Sequence, residues 1–428
     1  MESEQDLLFP AFQKYYSALS SLERFKKDNS FFDNMSSLDT FFSEYRNVTF
    51  VLKKSLKHTQ YFDLYETMCE KHLSCLKWFK DTRNIITKEH PFEIEKKIDV
   101  TVYKPWGSFD VSSKTFSVTN DQPLSSLIDQ TKKYLIPFSP VEVFFSARFS
   151  FYEKNTSINL FERIPAGLKV MYEFLTEIYQ RVPEKTSLTE EVKKQINKNM
   201  FLSCPLDRIL VNDYVYYPKT DSFDEVGRWS FSIGHSFGDK TVPRTPMEYW
   251  LQYYEQFGKT NFDRFVALHI TMRTKEEIVP AFMLVFQDNT YEIDAFNSDN
   301  KTTLYRKIHE TSLQILNDNV KEVFFEYSIL STPYSPSIIS MTAKERQQHA
   351  KEEWLVLVKI DDKLDVEEYD FYVPGLTCPG YIKSQLEMGR RKELYYAAAN
   401  MQPIIKAFNQ KQINSKYCRV LSNEKAIA

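Results

Sequence analysis

The sequence predicts an α+β protein, with an N-terminal helical bundle followed by α+β domains. Three observations carry that expectation. Apolar residues recur at spacings of three and four as far as about residue 90, the period then drops to two, and strand and helix patterns alternate from about residue 260 onward. A chain of 428 residues is too long for one ordinary core. The expected division is therefore a helical bundle over 1–97, an α+β middle region with a long helix over 98–199, and a C-terminal α+β domain over 200–428.

In the first region, Phe12, Tyr15, Tyr16, Leu19, Leu22 and Phe25 mark one helix. Leu38, Phe41, Phe42, Tyr45, Val48, Val51, Leu52 and Leu56 form the broad stripe of a second. A third is expected to run unbroken from about Phe62 to Glu89 and to stop before Pro91, because the residue preceding proline is driven out of α geometry. Helices with one apolar stripe each must bury it against one another.

Segments 98–104 and 109–119 alternate as half-buried strands do, a helix is expected near Ser125–Tyr134, and 141–152 is a strongly apolar strand. Helical spacing returns over 157–181, with Pro165 as a kink or first-turn residue. The polar stretch 183–199 is the best linker or surface-helix candidate. FDRFVALHI (262–270) reads as a strand, as does the stretch from Ile278 to Phe286, and DNT at 288–290 turns it into YEIDAF. Thr302–Leu316 is a predicted helix, VKEVFFEYSIL and EEWLVLVKI are strands, and VEEYDFYV is the hairpin partner of the latter. A closing helix is expected at about 384–409.

Only 9 glycines are present against 34 Phe and 26 Tyr, which argues against glycine-rich dinucleotide or nucleoside-triphosphate folds. The net charge of −3 gives no general attraction to nucleic acid or anionic membrane. Cys69, Cys75, Cys204, Cys378 and Cys418 are odd in number and scattered, the usage of a reducing compartment. The N-terminal stretch lacks a basic segment and no apolar run reaches a spanning length, so the expectation is a cytoplasmic protein with no membrane partner.

The best chemical lead is the run Trp78-Phe79-Lys80-Asp81-Thr82-Arg83-Asn84-Ile85-Ile86-Thr87-Lys88-Glu89-His90-Pro91. Arg83 and His90 are seven residues apart, almost two turns, which places them near one helix face with a rise of roughly 10 Å between them. A guanidinium can grip phosphate oxygens and an imidazole can move a proton near neutrality. Together they suffice to cleave a phosphodiester with the ribose 2′-hydroxyl as nucleophile and no metal or other cofactor. Read without any relative, Arg83 is more often a solvated or salt-bridged helix residue, paired with Asp81 or Glu89, and His90 a cap or turn residue.

This Arg-polar-x5-His pattern at the end of a bundle helix resembles the signature of the HEPN superfamily, whose members are often ribonucleases of toxin–antitoxin, abortive-infection and RNA-guided defence systems. Arg83, Asn84 and His90 fit that motif residue by residue, and the stretch that resembles the family covers roughly residues 10–95. The resemblance implies catalytic Arg83, Asn84 and His90 in a metal-independent endoribonuclease. It also implies a homodimer that completes the site in trans, and RNA as partner, with a possible antitoxin or phage-derived activator. The alternatives are a non-catalytic RNA- or nucleotide-binding regulatory protein and a dimerising interaction scaffold. Exposed aromatics, among them Tyr253, Tyr254, Tyr395 and Tyr396, would then serve a protein partner.

Residues 1–97 hold 15 basic and 15 acidic side chains. A basic rim for nucleic acid is nonetheless expected if Lys53, Lys54, Lys57, Lys71, Lys77, Lys80 and Lys88 cluster near Arg83, with Arg46 as an auxiliary phosphate contact. Cys69, His72 and Cys75 are too spread along a helix to share one metal without a further ligand, and no metal site is expected. The acidic group Asp361, Asp362, Asp365, Glu367, Glu368 and Asp370 reads as a turn rather than a two-metal site.

Overall fold

The computed structural model describes residues 6–26, 29–105, 109–118, 124–203, 210–226, 230–236, 258, 260–273, 280–296, 301–333 and 335–425. Its contacts divide into two compact units. The first comprises Met1–Val100, Lys114–Lys133 and Ala147–Val211, and the second Thr101–Ser113, Tyr134–Ser146 and Asn212–Ala428. The middle region expected at 98–199 is thus shared between them.

Helices α1 (Phe9–Glu23), α2 (Phe31–Leu56), α3 (Phe62–His72) and α4 (Lys77–Lys88) of the first unit precede strands β1 (Ile94–Lys104) and β2 (Asp110–Val118), each of which is divided between the two units. Helix α5 (Leu124–Leu135), strand β3 (Val143–Glu153) and helices α6 (Leu160–Arg181) and α7 (Ser187–Asn197) follow. α1 packs on α2 and α7, α2 on α4, and α3 on α6. Ser30, Asn159 and Thr186 cap α2, α6 and α7 by accepting a first-turn N–H. The hydroxyls of Tyr15 and Tyr45 donate to successive α6 carbonyls, those of Leu168 and Gly167, at 2.8 and 2.7 Å. The polar stretch 183–199 is a docked helix: the Asp6 carboxylate accepts from Thr186 and Thr189 at its start.

The unbroken helix expected from Phe62 to Glu89 is instead two helices with a 3₁₀ turn at Leu73–Leu76 between them. The reason is packing. α3 meets α6, where Tyr65 and His72 pack on Phe174 and Lys71 pairs with Glu177 at 2.6 Å. Meanwhile Phe79 of α4 sits against Phe41, Phe42 and Tyr45 of α2. α3 packs chiefly on α6 and α4 chiefly on α2.

The second unit is built on a six-stranded sheet of order β11-β10-β9-β7-β8-β6 with every pair antiparallel. Its strands are β6 (Ser230–Ser236), β7 (Ala281–Phe286), β8 (Thr290–Phe296), β9 (Val320–Ser331), β10 (Glu352–Asp361) and β11 (Val366–Tyr372). A second sheet has order β2-β1-β3-β4-β5, with β4 at Val211–Tyr217 and β5 at Ser222–Val226. Both predicted hairpins form, β7–β8 through Asn289 at φ 62° and β10–β11 through Leu364 at φ 68°.

Segment 262–270, expected as a strand, is instead part of helix α8 (Asn261–Arg273). Phe262, Phe265, Val266, Ala267, Leu268, His269 and Ile270 are all buried, and a helix covered on most sides reads as an unbroken apolar run. Its overlooked signal is Thr260-x-x-Asp263: the Thr260 Oγ accepts the Asp263 N–H while the Asp263 carboxylate accepts the Thr260 N–H. Helix α9 (Lys301–Asn317) forms as expected. The closing helix does not run through 384–409; α10 (Pro379–Met388) and α11 (Gln402–Lys425) are separated by residues 389–401. There the Glu368 carboxylate accepts the N–H groups of Tyr395, Tyr396 and Ala397, which a helix would have turned inward on itself.

Candidate functional site

α4 has one buried side and one open side. Phe79 and Thr82 are buried, with Trp78 and Ile86 half-buried beside them. Opposite them, Lys80, Arg83, Asn84, Thr87 and Lys88 follow the three-and-four spacing of a single helix face. The helix stops at Lys88, and the Glu89 and His90 N–H groups both donate to the Ile85 carbonyl, at 2.8 and 3.3 Å. Pro91 prevents a further turn.

Arg83 is half-buried. Its Nε is shielded from solvent yet makes no hydrogen bond, and the guanidinium forms no ion pair among the described residues. Neither Asp81 nor Glu89 takes the role of counter-charge. His90 is exposed, and its Nδ1 lies 2.8 Å from the Pro91 carbonyl oxygen. A carbonyl can only accept, so Nδ1 is the donor, and in the neutral imidazole Nε2 then carries the lone pair. Asn84 is half-buried, while Lys80 and Lys88 are exposed on the same helix.

Of the other basic candidates, Lys77 joins this face, exposed on α4 three residues before Lys80, whereas Lys71 pairs with Glu177 on α6 and Lys53, Lys54, Lys57 and Arg46 do not join it within one chain. The Phe92 N–H, two residues beyond His90, donates to Asp39 on α2 at 3.0 Å. Lys53 stands fourteen residues farther along α2 and Lys57 eighteen, a rise of about 21 and 27 Å. Lys53, Lys54 and Lys57 are exposed at that distant end, with the Lys53 ammonium 6.0 Å from the Phe62 ring. Arg46 is turned toward its own helix: it donates to Thr49 Oγ at 2.8 Å and lies 4.5 Å from the Phe50 ring centre. Burial pushes the Cys69 thiol up, and the nearby charges of Lys53 and Arg46 partly offset this, so both belong with α3.

His72, in the Cys69–His72–Cys75 trio, lies 3.2 Å from Glu177, and Cys75 donates to the His72 carbonyl. Among the described residues no group of three or more His, Cys, Asp or Glu is arranged to hold a metal ion. The acidic hairpin has other work: Asp361 caps its turn by accepting from Lys363 and Asp365, and Glu367 pairs with Lys392 at 2.9 Å. Tyr395 is exposed with Arg391 stacked on it at 4.8 Å. Tyr253 and Tyr254 lie outside the described residues.

Sequence reasoning missed two features. Asp39 reaches the chain beside His90, a contact across fifty-three residues that leaves no local signature. The buried pair His269 Nδ1 and Glu326 Oε2 face each other at 3.9 Å, each without a hydrogen-bond partner. Burial pushes Glu326 up to about 8 and His269 down to about 3, so both are neutral near pH 7.

No family model, no curated protein and no solved structure matches this chain. No helix among the described residues is long and apolar enough to cross a membrane.

Proposed function

We propose that this protein is a metal-independent endoribonuclease acting through the open face of α4. The observation that supports this reading is an uncompensated guanidinium at mid-helix on α4 together with an exposed imidazole just past the helix end, whose Nδ1 is engaged and whose Nε2 faces no protein partner among the described residues. In the reaction the ribose 2′-oxygen bonds to phosphorus as the bond to the 5′-oxygen breaks. This leaves a 2′,3′-cyclic phosphate and a 5′-hydroxyl. His90 Nε2 takes the 2′-hydroxyl proton. Arg83 neutralises the charge that develops on the non-bridging oxygens, and Asn84 orients the phosphate. This site offers a single imidazole, so a second copy of the chain, related by a two-fold axis, supplies the group that protonates the leaving oxygen.

A reading without turnover is favoured by the stripe Lys80, Asn84 and Lys88, which grips phosphate whether or not His90 reacts. One assay separates the two. Purified protein in excess EDTA is expected to cut single-stranded RNA, spare DNA, and leave cyclic phosphate ends. His90→Ala should lower cleavage at least ~10²-fold. Arg83→Lys should also lose most activity, since a point charge cannot reproduce a forked grip. Binding that survives with no cleavage in any of these proteins would leave the non-catalytic reading. Cleavage abolished by EDTA and restored by Mg²⁺ would overturn the mechanism.

A further inference from the structure

We infer that Asp39, on a different helix, is the positioning residue that fixes which nitrogen of His90 reacts. One peptide plane links the two residues. His90 Nδ1 donates to the Pro91 carbonyl at 2.8 Å, and the N–H on the other side of that same peptide, that of Phe92, donates to Asp39 Oδ1 at 3.0 Å. The peptide group is planar and trans, so its C=O and N–H point in opposite directions and rotate together. Asp39 holds one edge of the plane, and the other edge is presented to the imidazole.

The rest of the neighbourhood keeps this plane from turning. The Phe92 ring is buried 5.0 Å from Phe42 and 6.4 Å from Trp78, and Trp78 Nε1 donates to Glu153 at 3.1 Å. One residue later the Glu93 carbonyl accepts the Lys154 N–H at 3.0 Å. His90 is attached by its own N–H to Ile85. The imidazole is exposed, yet the carbonyl it meets belongs to a segment anchored by α2, α4 and β3. Free imidazole side chains in water favour the Nε2–H tautomer, which would present a proton outward instead of a lone pair. The anchored carbonyl selects the opposite tautomer, and the outward nitrogen becomes a base.

This inference rests on the proposed role of His90, but it can be read without RNA. In a long-range ¹⁵N–¹H spectrum of the whole protein at alkaline pH, His90 is expected as the Nδ1–H form. Asp39→Ala should return it to the balance of a free side chain, and Asp39→Asn, which keeps an accepting oxygen, should not. A dominant Nε2–H form of His90 in the unaltered protein would overturn the inference by itself, even where Asp39→Ala fails to fold. So would a folded Asp39→Ala protein with an unchanged pattern. If the protein also cleaves RNA, Asp39→Ala should lower kcat by about tenfold to a hundredfold with KM within twofold, the signature of a misplaced group rather than a lost binding contact. Absence of cleavage would remove the reaction and leave the tautomer result standing.

Discussion

Arg83 and Arg306 are the same side chain in opposite circumstances. Arg306, on α9 of the second unit, is buried, and its Nε donates to both oxygens of Asp213 at 2.9 and 3.1 Å while Nη1 reaches Glu310 at 2.8 Å. Asp213 also accepts from Ser146 and Thr303, and Ser146 in turn accepts from Tyr103. Every charge there is matched inside the protein. Arg83, on α4 of the first unit, has no such partner. The contrast teaches that a charged residue is interesting for chemistry when the fold has left it unspent. Burial alone would have directed attention to Arg306.

Substitution should break that contrast open. The largest effect is expected from Asp213→Ala, which removes the buried carboxylate partner of Arg306 and leaves it only Glu310; it should cost about 3–5 kcal/mol of stability, read from denaturant unfolding. A loss below about 1 kcal/mol would mean the network is wetter than its burial implies. Next is Gly167→Ala. A β-carbon there would come within 2.1 Å of the Phe79 ring that seats the inner face of α4. The overpacking should cost about 1–3 kcal/mol and be relieved in part by Phe79→Leu.

A third test uses pH. Glu326, raised from 4.5 to about 8, keeps its proton in the folded state where the unfolded chain has released it. Its contribution therefore falls as pH rises through that window and levels off above it. His269, lowered from 6.5 to about 3, works the other way: stability rises with pH across its window and is complete by about 6.5. Between pH 6.5 and 8 only the Glu326 loss remains of the two. The unaltered protein should lose stability there with a slope of at most about 1.4 kcal/mol per pH unit, and Glu326→Gln should flatten it. Equal slopes in both proteins would show that the carboxyl is not the group responsible. The smallest effect is expected at Arg83→Ala, with unfolding changed by no more than about 0.5 kcal/mol while RNA cleavage is lost. A large destabilisation would move Arg83 from the ligand face into the structural scaffold.

The sequence by itself determined the local features of this protein. Period-two stretches became β1 and β2, and the Asp-Asn-Thr turn became a hairpin, because alternation and turn residues act on the backbone within a few positions. The end of α4 before Pro91 was legible for the same reason, since it needs only a proline. Tertiary structure decided the rest. The break at Leu73–Leu76 falls between a half that packs chiefly on α6 and one that packs chiefly on α2, and the burial of α8 erased the periodicity that would have announced it. The state of His90 depends on Asp39, which the chain brings back from fifty-one residues earlier. A sequence pattern records which side chains share a face, whereas the partners that fix a proton or a charge are chosen by packing between segments far apart in the chain.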